Sequence, residues 1–281
     1  MKSSNKSINK PQFNHVIITG GGSGLGHGLA TRYLKLGAVV SVIDLQFSEK
    51  QKAMLEVTAK QCTTQCCFYT ANVTDAESVR AAVLEAVAVS GSPDLAINSA
   101  GILINKTLED TSPEAFKKVI DVNLNGSFNF ASAIMPLMKP GSQIALIASV
   151  AGLISNYGYS AYGASKFGVV GLATTLRYEY EHQGIAVSCV CPPEVKTPMV
   201  AEEHANGDPV SLELKKFAGS MDPDDACDQI FAGIQSRKWM IIPSFEAKSL
   251  IFISRVLPWL YTLLMRRLIK FSVSKVSKKN L

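Results

Sequence analysis

Thr19-Gly20-Gly21-Gly22-Ser23-Gly24-Leu25-Gly26 follows the β-branched run His15 to Thr19 and opens a helical pattern. A strand that turns through glycines into a helix brings backbone N–H groups, with no Cβ in the way, to the positive end of that helix. Such a turn suits a pyrophosphate. Asp44 closes the next β-branched run about twenty residues on, where an acidic side chain accepts hydrogen bonds from adenosine ribose hydroxyls. Asp44 also repels a 2′-phosphate, and neither Ser23 nor Leu45 supplies a cation, so NAD(H) is expected ahead of NADP(H), which stays possible. His27 fits a partly exposed helix position and is assigned no role.

Outward from this turn, short apolar runs alternate with longer helical stretches, the pattern of an α/β fold with a doubly wound parallel sheet. Seven strands are predicted: His15 to Thr19, Ala38 to Ile43, Cys66 to Tyr69, Asp94 to Asn98, Gln143 to Ala148, Ile185 to Val190 and Met240 to Ile242. Helices are predicted to start near Gly24, Ser48, Asp75, Ser112, Ala161 and Asp222, several with Ser or Asp caps, and Pro136 stops the fourth. A chain of 281 residues, 47% hydrophobic and without a linker-like stretch, reads as one domain over 13–245 followed by a tail over 246–281.

Six cysteines without a nearby histidine give no zinc pattern, so they read as reduced thiols and no metal is expected. Residues 1–14 are polar and carry no apolar run, against a cleavable secretion signal and for an intracellular, cytoplasmic protein. The net charge of +5 conceals an asymmetry. Residues 247–281 hold eight basic residues and no acidic one, which leaves the rest of the chain with 20 basic against 23 acidic residues. A nucleic-acid binder spreads its cations over a folded face, whereas these accompany an apolar segment; no nucleic-acid partner is expected.

Tyr162 and Lys166 stand four residues apart, on one face of a helix, with Ser149 upstream at the end of an apolar run. Two unit charges about 5 Å apart at an effective dielectric of about 20 interact by roughly 3 kcal/mol, worth about two pKa units. The ammonium is therefore expected to make the phenol unusually acidic, so that Tyr162 exchanges a proton with a substrate oxygen while Ser149 hydrogen-bonds the same atom.

In combination these residues resemble the short-chain dehydrogenase/reductase family over residues 13–243, a Rossmann-type fold. The cofactor loop matches at Gly20, Ser23, Gly24, Leu25 and Gly26, and Asn98-Ser99-Ala100-Gly101 resembles the family's Asn-Asn-Ala-Gly segment, with Ser99 as a departure. The resemblance implies catalytic roles for Asn123, Ser149, Tyr162 and Lys166, Asn123 holding a water that contacts the lysine. It further implies that Lys166 bonds the nicotinamide ribose, that Val195 and Thr197 hold the carboxamide, and that Asn72 and Val73 flank the adenine. Asn72 stands where an aspartate is usual; its amide is expected to hydrogen-bond the adenine amino group. Homo-oligomers through the helices carrying Asn123 and Tyr162 are implied too.

The segment Cys191 to Pro198, with Ala201-Glu202-Glu203 after it, resembles the 3-ketodihydrosphingosine reductases, whose substrate is a long-chain ketone on a sphingoid base. Those relatives resemble NADP(H) users with a basic residue near the place of Asp44, so the cofactor departs from their pattern. Ile102, Leu103, Leu153, Ile154, Tyr157 and Tyr159 are expected to give the pocket an apolar lining. The tail is too short and too charged to read as a spanning helix, and Arg255 interrupts it. On one continuous helix Lys248, Arg255, Arg266 and Lys270 would share a side, although Pro258 can reset the register. That arrangement predicts a helix lying in a membrane surface, peripheral or monotopic, with Trp259 and Tyr261 at the headgroups and the closing Lys278-Lys279 as a dilysine-type signal. The function expected is an NAD(P)-dependent oxidoreductase for a ketone or secondary alcohol on a lipid-like substrate. Two other readings stay open: a soluble dehydrogenase for a hydroxysteroid, retinoid or small alcohol, and a dinucleotide sensor or scaffold without turnover.

Overall fold

The computed structural model describes residues 12–278. Most of the amino-terminal segment read as leaderless, and the last three residues of the dilysine-type ending, lie outside them. In chain order the first half comprises β1 (His15–Thr19), α1 (Gly24–Lys35), β2 (Val39–Asp44), α2 (Glu49–Gln61), β3 (Cys66–Thr70), α3 (Ala76–Ser90), β4 (Leu95–Asn98), α4 (Pro113–Ile120) and α5 (Gly126–Ile134). The second half comprises β5 (Gln143–Ile147), α6 (Ser160–Tyr180), β6 (Ala186–Val190), α7 (Pro198–Asn206), α8 (Pro209–Ala218), α9 (Pro223–Gln235), β7 (Met240–Ile241), α10 (Phe245–Val256) and α11 (Pro258–Ser277).

The seven strands form one parallel sheet in the order β3-β2-β1-β4-β5-β6-β7. Helices cover both of its faces, which explains why β1, β4 and β5 read as unbroken apolar runs rather than alternating ones. Along β1, Ile17 packs into one half-core while Val16 and Ile18 enter the other. The strand order reverses direction between β1 and β4, so a crevice opens beyond their carboxyl ends.

Local signals set the helix starts. Ser48 accepts from the Gln51 amide, Asp75 from Glu77 and Ser78, Ser112 from Ala115 and Asp222 from Asp224, each satisfying an amide that the helix leaves without a partner. The fourth predicted helix is not uniform: between α4 and α5, Asp121–Asn125 forms a π-turn. α7 and α8, just after β6, are helices the sequence reading does not predict; each begins on a proline, Pro198 and Pro209.

The tail departs most from the sequence reading. It is two helices bent by 117° at Leu257–Pro258, so Lys248 and Arg255 belong to one axis and Arg266 and Lys270 to another; the single basic side does not exist. No single helix among the described residues is long and apolar enough to cross a membrane, although the bent pair passes by length and composition. α11 packs along α8, where Lys275 pairs with Glu213 and the Phe271 ring meets Phe217 edge-on at 6.2 Å.

Candidate active site

Beyond the carboxyl ends of the strands lies a cavity of about 1100 Å³. Of the residues singled out in the sequence, Gly20, Ser23, Gly24, Leu25, Asp44, Asn72, Val73, Ala100, Gly101, Ser149, Tyr162, Lys166, Val195 and Thr197 line it. Gly26, Asn98 and Asn123 do not; they sit behind its wall.

The glycine turn is built by close approach. Gly20 has φ +66°, and a Cβ there would lie 2.6 Å from Ala100 Cα, so the turn is wedged against the loop after β4. A Cβ on Gly26 would come 2.2 Å from the Gly20 carbonyl oxygen, which sets α1 directly on the turn. Beneath it, Thr19 Oγ1 donates to Asn98 Oδ1 at 3.0 Å and Asn98 Nδ2 donates to Ser127 Oγ at 2.6 Å, tying β1, β4 and α5 together. Ser23, the N-cap of α1, makes no side-chain capping bond, and the first turn of α1 holds no acidic residue. The amides at that helix start therefore face the cavity without a protein acceptor from the cap, in the arrangement that an anionic diphosphate fits.

At the end of β2, Asp44 accepts from the amide of Gly22 at 2.8 Å and from that of Leu45 at 2.7 Å. Each carboxylate oxygen keeps acceptor capacity toward the cavity. Asn72 is arranged differently from expectation. Its Oδ1 accepts from both the amide and the hydroxyl of Thr74, at 3.0 and 2.9 Å, in an Asx-turn. Both lone pairs are engaged, so the side chain offers donors rather than the acceptor an adenine amino group requires. Val195 bridges Met221, and Thr197, the N-cap of α7, makes no capping bond with its hydroxyl.

Asn123 sits at the centre of the π-turn and is fully buried. Its Oδ1 accepts from the Ile102 amide at 2.8 Å, while Nδ2 donates to Ile102 O and Ser165 Oγ, both at 2.9 Å. The extra residue of the π-turn re-aims the side chain across the bundle, which is how asparagine is accommodated inside a helix. Asn123 thus clamps the loop after β4 to α6, and its Oδ1 and Lys166 Nζ flank Gly101.

Tyr162 and Lys166 lie on the buried face of α6, with Ser149 opposite at the end of β5, and each is less than a tenth exposed. Lys166 Nζ donates to Ile147 O at 3.0 Å and lies 5.8 Å from the centre of the Tyr162 ring. The expected acidic phenol is not what this geometry gives. Burial pushes the Tyr162 hydroxyl up to about 12, against a pull downward from the Ser149 hydroxyl. Burial also brings the Lys166 ammonium down to about 8. Two groups packed into one low-dielectric wall each lose hydration, which disfavours the charged form of both. The shift favours the protonated phenol across the physiological range.

A network absent from the sequence reading stands next to these residues. The Tyr159 ring meets the Tyr162 ring edge-on at 5.2 Å, and its hydroxyl donates to Glu203 Oε1 at 2.7 Å. Glu203 also accepts from Asn105 Nδ2 at 2.7 Å and pairs with Lys215, which pairs in turn with Glu194. The Tyr159 hydroxyl is raised above its ordinary value by burial and by the Glu203 carboxylate. These bonds anchor α7 and α8 to the turn before α6 and so fix one wall beside Tyr162. The signal available was Glu202-Glu203, noted for its resemblance only; the two differ in that Glu203 faces inward and is 5% exposed. Of the expected apolar lining, Ile102, Leu103, Ile154 and Tyr159 reach the cavity, whereas Leu153 packs on the core and Tyr157 borders a separate surface hollow.

Residues 14–208 match the family model described as short chain dehydrogenase. The 3-dehydrosphinganine reductase TSC10B of Arabidopsis thaliana is 37% identical over 250 residues, covering 85% of this chain and 73% of that protein. A cyclohexanol dehydrogenase of an Acinetobacter species is 39% identical over 203 residues, covering 71% of this chain and 78% of that protein. Among solved structures, a short chain dehydrogenase from Mycobacterium paratuberculosis bound to NAD superposes with a TM-score of 0.73 at 25% identity, covering 84% of this chain and 98% of that one. Sheet order, the glycine turn and the cavity beyond the strands agree with that match: the chain belongs to the short-chain dehydrogenase/reductase family, as an oxidoreductase acting between ketones and CH–OH groups.

Proposed function

We propose that the protein is a membrane-surface ketone reductase that prefers NADH and acts on a long-chain substrate of the 3-dehydrosphinganine type. The observation that carries the chemistry is geometric: Ser149, Tyr162 and Lys166 line one cavity, where a hydroxyl that burial favours in its protonated form can give a proton to a ketone oxygen. The carrying observation for the substrate is the extent of the similarity, which reaches past residue 208 for the 3-dehydrosphinganine reductase.

Gly20, Ser23, Gly24 and Leu25 would hold the cofactor's phosphates, Asp44 its adenosine ribose, Asn72 and Val73 its adenine, and Ala100, Gly101, Val195 and Thr197 its nicotinamide half, over the packing supplied by Gly26 and Asn98. When bound, the cofactor supplies the hydride. The chain supplies everything around it: Tyr162 gives its phenolic proton to the substrate oxygen, and the Ser149 hydroxyl hydrogen-bonds that oxygen as charge develops on it. Lys166 beside Tyr162 provides the positive charge that favours the phenolate left behind, and Asn123 keeps the loop after β4 and α6 in register. Asp44 repels a 2′-phosphate with no cation beside it, which supports NADH over NADPH. Initial rates with both cofactors, on 3-dehydrosphinganine and on cyclohexanone, test this directly. Expected is turnover of the long-chain ketone with kcat/KM at least about tenfold higher for NADH, a difference of ~1.4 kcal/mol. Exclusive turnover of cyclohexanone would favour the small-alcohol reading, which the similarity to the cyclohexanol dehydrogenase supports.

The membrane reading rests on the outer side of α10 and α11. Phe252 is 65% and Trp259 68% exposed there, with Phe245 exposed too, and Lys248, Arg255, Arg266, Arg267 and Lys270 interspersed. Aromatic side chains among cations fit the headgroup layer of an anionic bilayer. The substitution pair Phe252→Ser and Trp259→Ser should weaken binding to anionic vesicles at least about tenfold in a flotation assay. Unchanged flotation would remove the tail from the membrane. Exposed Phe116, Phe128 and Phe167 on α4, α5 and α6 support a homo-oligomer through that face.

A further inference from the structure

The inner side of the C-terminal pair has a different task from the outer side. Tyr261, Met265 and Leu268 recur along α11 at the spacing of one helix stripe, and all three line the cavity that contains Ser149 and Tyr162. The same stripe continues into Ser272, which is fully buried, and Lys275, which pairs with Glu213 of α8. The second half of α11 is therefore clamped to the body, and its first half forms a wall of the cavity. Leu250 of α10 and Leu214 of α8 add to that wall. Lys248, Arg255, Arg266, Arg267 and Lys270 are exposed, and the one charged residue that the pair gives to the lining, Glu246, is exposed and accepts from Ser244 Oγ at 2.6 Å.

We infer that the C-terminal helix pair is part of the substrate site and holds the substrate's hydrocarbon chain along Leu250, Met265 and Leu268, so that the tail sets chain-length preference. The inference rests on the lipid-like ketone reading above. A methylene group has no hydrogen-bonding demand, and a wall of leucine and methionine side chains offers none; it can recognise only apolar length and width. The cavity is continuous from the phenol that gives the proton to this wall, so a ketone bound at Tyr162 has its chain directed along the tail. Each methylene sheltered there is worth about fourfold in kcat/KM.

The test uses the full-length protein with NADH and methyl ketones of increasing chain length. Expected is a kcat/KM that climbs with length in the wild-type chain. Leu268→Trp or Met265→Trp, which fill the wall, should lower the ratio of longest to shortest ketone at least about tenfold. Thr262→Trp adds the same bulk on the exposed side of α11 and should leave that ratio where it was. Should the filled variants not fold, Met265→Ala provides the opposite change, and its optimum should move to longer or branched chains. Ratios unmoved in the filled and the widened variants, with normal turnover, would overturn the inference and spare the ketone-reductase reading. Absence of turnover with every ketone in the wild-type chain would overturn both.

Discussion

Tyr162→Phe is expected to lower kcat about a thousandfold while leaving NADH affinity and thermal stability close to those of the parent. The change deletes one oxygen. The ring stays in edge contact with Tyr159, and the backbone carbonyl of Tyr162 still accepts from Ser165 Oγ at 2.7 Å, so α6 keeps its place. What disappears is the proton donor, and general acid catalysis contributes about 10²- to 10⁴-fold in such steps. The wild-type pH profile follows from the same group. With the hydroxyl pushed up to about 12, ketone reduction finds its donor protonated throughout the neutral range, whereas alcohol oxidation needs the phenolate and should accelerate steadily with pH. Cofactor titration by fluorescence together with steady-state rates separates binding from chemistry. A variant within tenfold of parental turnover would take Tyr162 out of the mechanism.

Lys166→Met should produce the opposite pairing of effects, a more stable protein that no longer turns over. Burial lowers the Lys166 ammonium to about 8 from its ordinary 10.5, so below pH 8 the folded chain holds a charge that water would hold more cheaply. The shift corresponds to about 3 kcal/mol, of which the lost bond to Ile147 O takes back about 1 kcal/mol. Methionine fills similar volume without charge. At pH 7 the variant is therefore expected to gain about 2 kcal/mol, several degrees in Tm. The sign with pH is fixed by proton counting: between about pH 8 and 10.5 the unfolded chain binds more protons at this position than the folded one. Parental stability accordingly rises through that window, and the advantage of the variant shrinks. Melting curves of both proteins at pH 7 and pH 10 check it, and a destabilised variant at pH 7 would show that the ammonium is held by favourable contacts after all.

Much of the fold was legible because its signals are local. Seven strand runs, the glycine turn and the Ser48, Asp75, Ser112 and Asp222 caps are each written in a few adjacent residues, and each recurs in the structure within a residue or two. The spacing of Tyr162 and Lys166 likewise survives, because a helix converts separation along the chain into direction. The properties that escaped are those set by distant neighbours. The acidity of Tyr162 depends on how completely Ser149, Tyr159 and the wall beyond them exclude water, which no short motif records. Glu203 looks like a surface residue until Asn105, Tyr159 and Lys215 arrive from three other segments. In the tail, apolar composition suits lipid and protein neighbours alike, and only the packing separates the stripe Tyr261, Met265, Leu268 and Ser272 that turns inward from the residues that face out.

The absent methyl at position 26 has a practical corollary. With the Gly20 oxygen already occupying the space a side chain would need, the phosphate-side turn is a seam without tolerance, and random diversity introduced there returns mostly misfolded clones. Positions 44 to 46 border the same cavity from outside that seam, and Leu45 is 61% exposed. Anyone wishing to retool this scaffold for the phosphorylated coenzyme should confine mutagenesis to that rim, adding a cation where leucine now stands, and leave the glycines untouched.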